Sequence, residues 1–313
     1  MHCIGFDIGG TKCAVSVGLI EEGKITVLGR EETPTQYSPQ DTLEILLPYV
    51  LEWKEKYGVE NAGISCGGPL NSKTGVIVCP PNLAKGWYNF NIVSYVKEKT
   101  GLVAKLQNDA NACAVAEWLF GAGQGAQNML FMTFGTGLGA GLILDGKLYA
   151  GTNDNAGEIG HIRLAKKGPI GYGKEGSFEG FCSGGGIARL ACQMAERCKN
   201  VPAYMQKVGD RYEITTKKLA QEAFAGDKFA KRVFAKSGEM LGKGLSIVID
   251  VLNPEKIVIG GVFMRSSALL IPAMKKQLEK ECLSESMQVC EILPAKLSEN
   301  VGDIAALAIA KGV

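Results

Sequence analysis

Histidine is almost absent, at two residues in 313, and none of the ten cysteines forms a C-x-x-C pair. Zinc ribbons and fingers need paired ligands at short spacing, and these spacings offer none. Cys3, Cys13, Cys66, Cys79 and Cys113 stand among small or apolar residues in predicted core elements, and Cys182, Cys192, Cys198, Cys282 and Cys290 are scattered. In a chain of this size that pattern indicates free thiols in a reducing compartment rather than a disulfide framework. Excess charge of one sign is also missing. The balance is 34 Lys and Arg against 32 Asp and Glu, net +2, with no long basic run, which disfavours nucleic acid and anionic membrane surfaces as partners. No apolar stretch reaches the ~20 residues of a membrane helix. The longest, Leu245 to Leu252, contains Asp250 and stops at Asn253-Pro254. The first strand is predicted from about Cys3, which leaves no room for a secretory leader, so a cytoplasmic location is expected.

Glycine, by contrast, is abundant at 41 residues. It falls in discrete turns rather than in a repeat or linker. Two of these turns stand out: Phe6-Asp7-Ile8-Gly9-Gly10-Thr11-Lys12 and Thr133-Phe134-Gly135-Thr136-Gly137-Leu138-Gly139-Ala140-Gly141, each between apolar strands. Exposed amides in such turns, with threonine hydroxyls beside them, make a site for anionic oxygens. Two in one chain suggest a clamp on a polyphosphate, although glycines serving tight turns alone would look the same. A dinucleotide-binding fold needs G-x-G-x-x-G followed by a helix. Here the third slot is Ala140, and the following run, Leu142-Ile143-Leu144-Asp145-Gly146-Lys147-Leu148-Tyr149, is a hairpin signal. Glu21-Glu22-Gly23-Lys24 makes a second hairpin after the first turn.

The length predicts about two domains. Strands are expected at Cys3 to Phe6, Cys13 to Leu19, Ile25 to Arg30, Ala62 to Cys66, Gly75 to Cys79 and Leu102 to Gln107. Helices are expected at Asp41 to Tyr57, with Pro48 marking a late start or a kink, at Ile92 to Thr100 and at Asn111 to Phe120. The second half repeats this plan. Its strands are Asn128 to Phe134, Gly141 to Leu144, Lys147 to Tyr149, Lys256 to Ile259 and one near Val289 to Ala295. Its helices are Gly186 to Cys198, Thr216 to Ala225, Asp227 to Leu252, Leu269 to Glu281 and Asp303 to Ala310. Residues 151–186 show few periodic signals and read as a long loop, of a length that is usually functional or disordered. The pattern predicts an α/β protein with a mixed sheet in each half and a cleft between the halves.

Ligands in such sheets bind at strand ends. Asp7, Gly67-Gly68, Asn82, Asn108-Asp109 and Gly135-Thr136 follow apolar strands, and Glu158, His161 and Glu179 lie in the long loop. Hydroxyl-rich uncharged ligands donate and accept at every group, and Asn, Asp, Glu and neutral His match them. Asp109 is the candidate base of a phosphoryl transfer, which needs an in-line hydroxyl, a carboxylate and charge stabilisation. A helix-capping aspartate would occupy the same place. Asp7 inside the first turn would be repelled by phosphates unless a cation intervened, so Mg²⁺ is expected, held mainly by phosphate oxygens and water. A turn-stabilising role is its alternative. Lys12 either neutralises a phosphate or lies along the surface.

In order along the chain these segments resemble the ROK family of sugar kinases and repressors. They are Asp7 to Lys12, Pro81-Asn82-Leu83 with Trp87, Asn108 to Ala112, Gly135 to Gly141, Ala156 to His161 and Asn253 to Gly261. The resemblance implies the actin-like ATPase fold, with two ribonuclease-H-like lobes: residues 1–115 with a terminal helix at 302–313, and residues 116–301. It implies ATP-dependent phosphorylation of a hexose at its primary hydroxyl, with N-acetylmannosamine or N-acetylglucosamine kinase and a non-catalytic sugar sensor as alternatives. Asp109 would be the base. Gly68, Asn82, Asn108, Glu158, His161 and Glu179 would hold the sugar. Asp7, Gly9, Gly10, Thr11, Lys12, Gly135, Thr136 and Gly137 would meet the phosphates, and Gly185, Gly260 and Gly261 would lie against adenosine. Many members carry a C-x-C-G-x-x-G-C zinc motif where this chain has Gly171 to Glu179 without cysteine, so no structural zinc is expected and the ordering of the loop is unexplained. Repressor members add an N-terminal helix-turn-helix domain, whereas this chain opens at the first strand, so DNA binding is not expected. A homodimer is implied.

Overall fold

A computed structural model describes residues 1–209, 211–297 and 301–312. In chain order the first elements are β1 (His2–Ile8), β2 (Lys12–Glu21), β3 (Lys24–Pro34), α1 (Pro39–Tyr57), β4 (Asn61–Cys66), β5 (Leu70–Asn71) and β6 (Val76–Ile77). Then come β7 (Phe90–Asn91), α2 (Ile92–Thr100), β8 (Val103–Asn108), α3 (Asp109–Phe120), β9 (Met129–Phe134), β10 (Leu138–Leu144) and β11 (Lys147–Leu148). The chain continues with β12 (Ile170–Gly171), β13 (Lys174–Glu175), α4 (Phe178–Cys182), α5 (Gly184–Glu196), β14 (Gln206–Val208), β15 (Arg211–Glu213), α6 (Thr216–Phe224) and α7 (Lys228–Leu252). It closes with β16 (Lys256–Ile259), α8 (Val262–Glu281), α9 (Ser284–Val289), β17 (Glu291–Pro294) and α10 (Val301–Ala310). No helix of the described residues is long and apolar enough to cross a membrane.

The chain divides into two compact units. One comprises Met1–Phe131, Gly141–Gly157 and Ala295–Val313, and the other Met132–Ala140 and Glu158–Pro294. Two five-stranded sheets run β3-β2-β1-β4-β8 and β11-β10-β9-β16-β17. In the first sheet β1 pairs antiparallel with β2 and parallel with β4, which pairs parallel with β8. The hairpins predicted after both glycine turns are present, so the turns meet returning strands rather than helix starts.

Burial follows the apolar pattern. Ile4, Phe6, Ile8, Val15 and Val17 of the first two strands join Leu43, Leu46 and Val50 of α1 in one core. Removing such side chains from water is the main stabilising term, at roughly 25 cal/mol per Å² of apolar surface. Helix α1 begins two residues earlier than predicted because Ser38 caps it, accepting from the Asp41 amide at 3.3 Å. Pro39 fits the first turn, where no amide partner is needed, and the helix continues through Pro48. Helix α10, rich in buried small residues (Ala305, Ala306, Ala308), packs against β1, β4 and α3. The chain entering it is held by Glu117, a fully buried carboxylate of α3 that accepts from the amides of Ala122, Lys296 and Leu297.

Three expectations change in the later part of the chain. Helix α8 starts at Val262 rather than near Leu269, because Phe263, Ser266, Leu270, Met274 and Leu278 form one buried stripe across the polar Arg265-Ser266-Ser267 segment. The strand expected at Val289 to Ala295 begins only at Glu291, after the short α9. Residues 151–186 are not one irregular loop, since they hold the β12–β13 hairpin, α4 and the start of α5. The β14–β15 hairpin was not expected from the sequence.

Candidate functional site

In the first unit the β1–β2 hairpin closes at Ile8 opposite Cys13. The Gly9 amide donates to the Lys12 carbonyl at 3.2 Å, and Thr35 Oγ1 donates to the Gly9 carbonyl at 2.6 Å. Gly10 permits a close approach: a Cβ there would run into the backbone carbonyl of Asn82. The first turn thereby seats the segment that carries Asn82. Lys12 is engaged sideways. Its Nζ lies 2.8 Å from Glu32 on β3, a diagonal neighbour across the antiparallel pair. Glu32 also meets Arg30 at 2.7 Å, and Arg30 Nε reaches Asp303 at 2.8 Å.

Asp7, near the end of β1, sits in a carboxylate-rich environment. Gly302, in the first turn of α10, is so close that a Cβ there would stand 2.7 Å from Asp7 Oδ2. Burial, then the charges of Asp303 and Asp109, push the Asp7 carboxyl up to about 6. Asp109 opens α3 at the end of β8. The residue is open to solvent, yet protein crowds its carboxyl and the desolvation raises its pKa above the usual carboxylate range, opposed by the hydrogen bond from the Ala110 amide at 2.7 Å. The N-cap of α3 is Asn108, whose Oδ1 accepts from Ala110 at 3.0 Å. The capping role weighed for Asp109 is therefore filled by its neighbour. Around this point a Cβ on Gly68 would stand 3.2 Å from Asn108 Nδ2, and one on Gly67 3.3 Å from Asn82 Oδ1. Gly67, Gly68, Asn82, Asn108 and Asp109 thus converge where β4 and β8 end.

In the second unit the turn between β9 and β10 is bound to two other glycine segments. Gly135 donates to the Gly137 carbonyl at 3.1 Å and accepts from Gly184 at 2.7 Å. Gly260 donates to the Met132 carbonyl at 2.9 Å, and Gly261 lies against Phe134. Ser183 caps α5, its hydroxyl accepting from Gly186 at 2.9 Å, and Thr216 donates its hydroxyl to the Gly184 carbonyl. At Gly135 the surroundings are open, with nothing within 4 Å of a Cβ placed there. Thr136 stands in this turn, and a Cβ on Gly185 would lie 3.4 Å from its carbonyl.

Glu179, in the first turn of α4, accepts from the Leu138 amide at 3.0 Å, so it is tied to the strand that leaves the second turn. His161 ends a short 3-10 turn that begins after Glu158, and its amide donates to the Glu158 carbonyl at 3.1 Å. The segment that follows is ordered by protein groups. Lys174 Nζ donates to the His161 carbonyl at 2.7 Å, Arg163 donates to the Glu175 carbonyl at 2.8 Å, and Phe178 donates its amide to the Ile162 carbonyl at 2.8 Å. The Tyr172 ring meets the His161 ring edge-on at 5.1 Å. Among the described residues no group of three or more His, Cys, Asp or Glu side chains is placed to hold a metal ion.

The first unit therefore gathers Asp7, Gly9, Gly10, Thr11, Lys12, Gly68, Asn82, Asn108 and Asp109. The second brings Gly135, Thr136, Gly137, Glu179, Gly185, Gly260 and Gly261 together around its turn and also contains His161, with Glu158 one turn before it. Sequence reasoning missed Arg30 and Asp303, which are 273 positions apart, and Lys174. Only the fold pairs them, and no local motif marks them.

The sequence profile of the ROK family matches residues 3–313. A glucokinase of Thermotoga maritima is 28% identical over 313 residues, covering 99% of this chain and 98% of its own. A glucokinase of Halalkalibacterium halodurans is 32% identical, covering 96% of this chain and 92% of its own. The crystal structure of a ROK family glucokinase from Streptomyces griseus in complex with glucose and AMPPNP matches with a TM-score of 0.77 at 29% identity, covering 100% of both chains. These matches run over the whole length, and the chain belongs to the ROK family.

Proposed function

We propose that the protein is an ATP-dependent sugar kinase that phosphorylates a hexose at its primary hydroxyl. The observation that carries this reading is Asp109: a solvent-accessible carboxylate, raised in pKa by desolvation among its neighbours, at the end of β8 beside the amide side chains of Asn108 and Asn82. A carboxylate of raised pKa is a stronger base, and its neighbours can fix a hydroxyl by donating and accepting. The glucokinase relatives support the substrate class.

Asp109 would accept the proton as the sugar oxygen attacks the terminal phosphorus. Asn82, Asn108, Glu158, His161 and Glu179 would orient the ring, as the family resemblance implies. The Gly135–Gly137 turn, open above Gly135, offers backbone amides to phosphate oxygens. The carboxylates around Asp7 fit a cation held largely by phosphate oxygens and water rather than by a protein cage. Bound Mg²⁺ would neutralise phosphate charge as it develops.

The test combines substitution with a pH profile. Asp109→Asn should lower kcat by about 10²–10⁴-fold, the usual range for a general base, while calorimetry shows sugar binding within a few-fold of the parent. The base works deprotonated, so activity falls as pH drops through its pKa. Desolvation by the surrounding protein raises that pKa, so the acid limb of kcat/KM should lie above the ordinary carboxylate range. Near-normal turnover by Asp109→Asn would remove it from the base role. A panel of glucose, fructose, mannose, N-acetylmannosamine and N-acetylglucosamine in an ADP-release assay selects the sugar. Sugar binding without any ADP release would identify a sensor.

A further inference from the structure

The second unit contains a cavity of about 1090 Å³ lined by residues of α4, α5, α7, α8 and the 165–175 segment. Its floor is apolar, formed by Phe181, Leu190 and Met240, all buried. Its rim is basic: Lys167, Arg197, Arg232, Lys236, Lys276 and Lys280. The rim carboxylates are Glu175, Glu196 and Glu239. Six cations against three carboxylates leave +3 on this rim, more than the +2 of the whole chain, so the remainder of the molecule sums to −1.

This placement is not explained by helix stability. Arg232 and Lys236 are four residues apart on α7, and Lys276 and Lys280 four apart on α8, so each pair sets like charges on one helical face. Such pairs destabilise a helix. Glu239 relieves Lys236 at 2.8 Å, but Arg232 and Lys276 have no ion-pair partner among the described residues. The two helices pack together, which brings both pairs to the same opening. The volume is that of a small-molecule pocket, in which an apolar lining gives affinity and a few polar groups fix orientation.

We infer that this groove is a second small-molecule site and takes an organic phosphate, its anionic head among the rim cations and an apolar body against Phe181, Leu190 and Met240. The groove shares its wall with the sugar-site segment. Phe181 is two residues beyond Glu179 on α4, and the Glu175 carbonyl is the acceptor for Arg163. A ligand seated here would therefore change sugar affinity, and that last step rests on the kinase reading given above.

The test is titration calorimetry on the full chain with octyl phosphate, pyrophosphate and octyl glucoside, each below its micellar concentration. Octyl phosphate should bind at one site at least tenfold more tightly than either of the others. The R232E/K276E variant should weaken it at least tenfold, and the milder K276Q about threefold. The K231E/K275E variant makes the same charge change at exposed neighbours outside the groove and should stay within twofold of the parent. Undetectable binding overturns the inference. So do equal binding of pyrophosphate, parent-like binding by R232E/K276E, and equal weakening of both reversal variants. These readouts need no turnover, so they stand or fall apart from the kinase reading. Where the kinase reading holds, octyl phosphate should also shift the sugar KM at least twofold in the parent and leave it unchanged in R232E/K276E.

Discussion

The two glycine-threonine turns are alike in sequence and differ in what surrounds them. In the first, Gly10 is hemmed in by the protein itself, with the Asn82 carbonyl standing where a side chain would go. In the second, Gly135 faces open space. The first glycine serves an internal approach of two backbone segments, and the second leaves room for something outside the protein. A motif that looks like a pair of phosphate loops thus contains two different uses of the same residue. The close approach of Asn82 accounts for glycine at Gly10, whereas no protein contact demands it at Gly135.

Substitution can break that contrast. Gly10→Ala should carry the larger effect. The added methyl group must displace the Asn82 segment, at a cost of about 1–3 kcal/mol for overpacking, read as a fall in Tm of several degrees. With Asn82 displaced, the sugar KM should rise at least about tenfold. Parent-like Tm and KM would show that the turn accommodates the methyl group and that Gly10 is not the seat of Asn82. Gly135→Ala sharpens the same contrast. It meets no protein atom within 4 Å and needs no positive φ, so Tm should stay within about a degree. The nucleotide KM should nonetheless rise about tenfold, because a Cβ would occupy the space proposed for a phosphate. A drop in Tm with unchanged nucleotide KM would reverse the roles assigned to the two turns.

What was legible in the sequence follows the same division. Glycine turns, hairpins and strand ends are local, so Gly9 to Lys12, Gly135 to Gly137 and Asn108-Asp109 could be placed from spacing alone. The start of α8 was not legible, because a buried helical stripe crosses a segment whose serines resemble a break. The Arg30–Asp303 pair was invisible, since nothing in either sequence neighbourhood names the other. That pair matters for the site. Asp303 arrives on α10 and contributes, after burial, to the raised pKa of Asp7. The dual engagement of Lys12 and Arg30 by Glu32 likewise required the register of β2 against β3. Residues 151–186 looked structureless because their elements are very short and are ordered by non-periodic bonds, backbone to backbone (Leu164 to Gly176, Phe178 to Ile162) and side chain to backbone (Lys174 to His161).

That last feature extends the comparison of the two units to its smallest expected effect. The groups proposed to face the sugar in the first unit sit at or beside strand ends, as Asn108 does at the end of β8. His161 sits on a segment with little regular structure, and its carbonyl is held by the ammonium of Lys174 while Tyr172 packs on its ring. A hydrogen bond to a charged group contributes roughly 1.5–3 kcal/mol. The group is only half-buried, so part of that is lost to solvent, and only part of the remainder reaches the imidazole. Lys174→Met should therefore raise the sugar KM about 3–10-fold, with kcat and the nucleotide KM nearly unchanged. Lys174→Arg, which keeps a cationic donor, should restore most of the loss. Amide hydrogen exchange gives the readout that a general loss of stability would not imitate: residues 161–178 should exchange faster in Lys174→Met, while α7 and α8 keep their protection. Uniformly faster exchange, or an unchanged sugar KM beside a loosened segment, would show that the ammonium orders the chain without positioning His161.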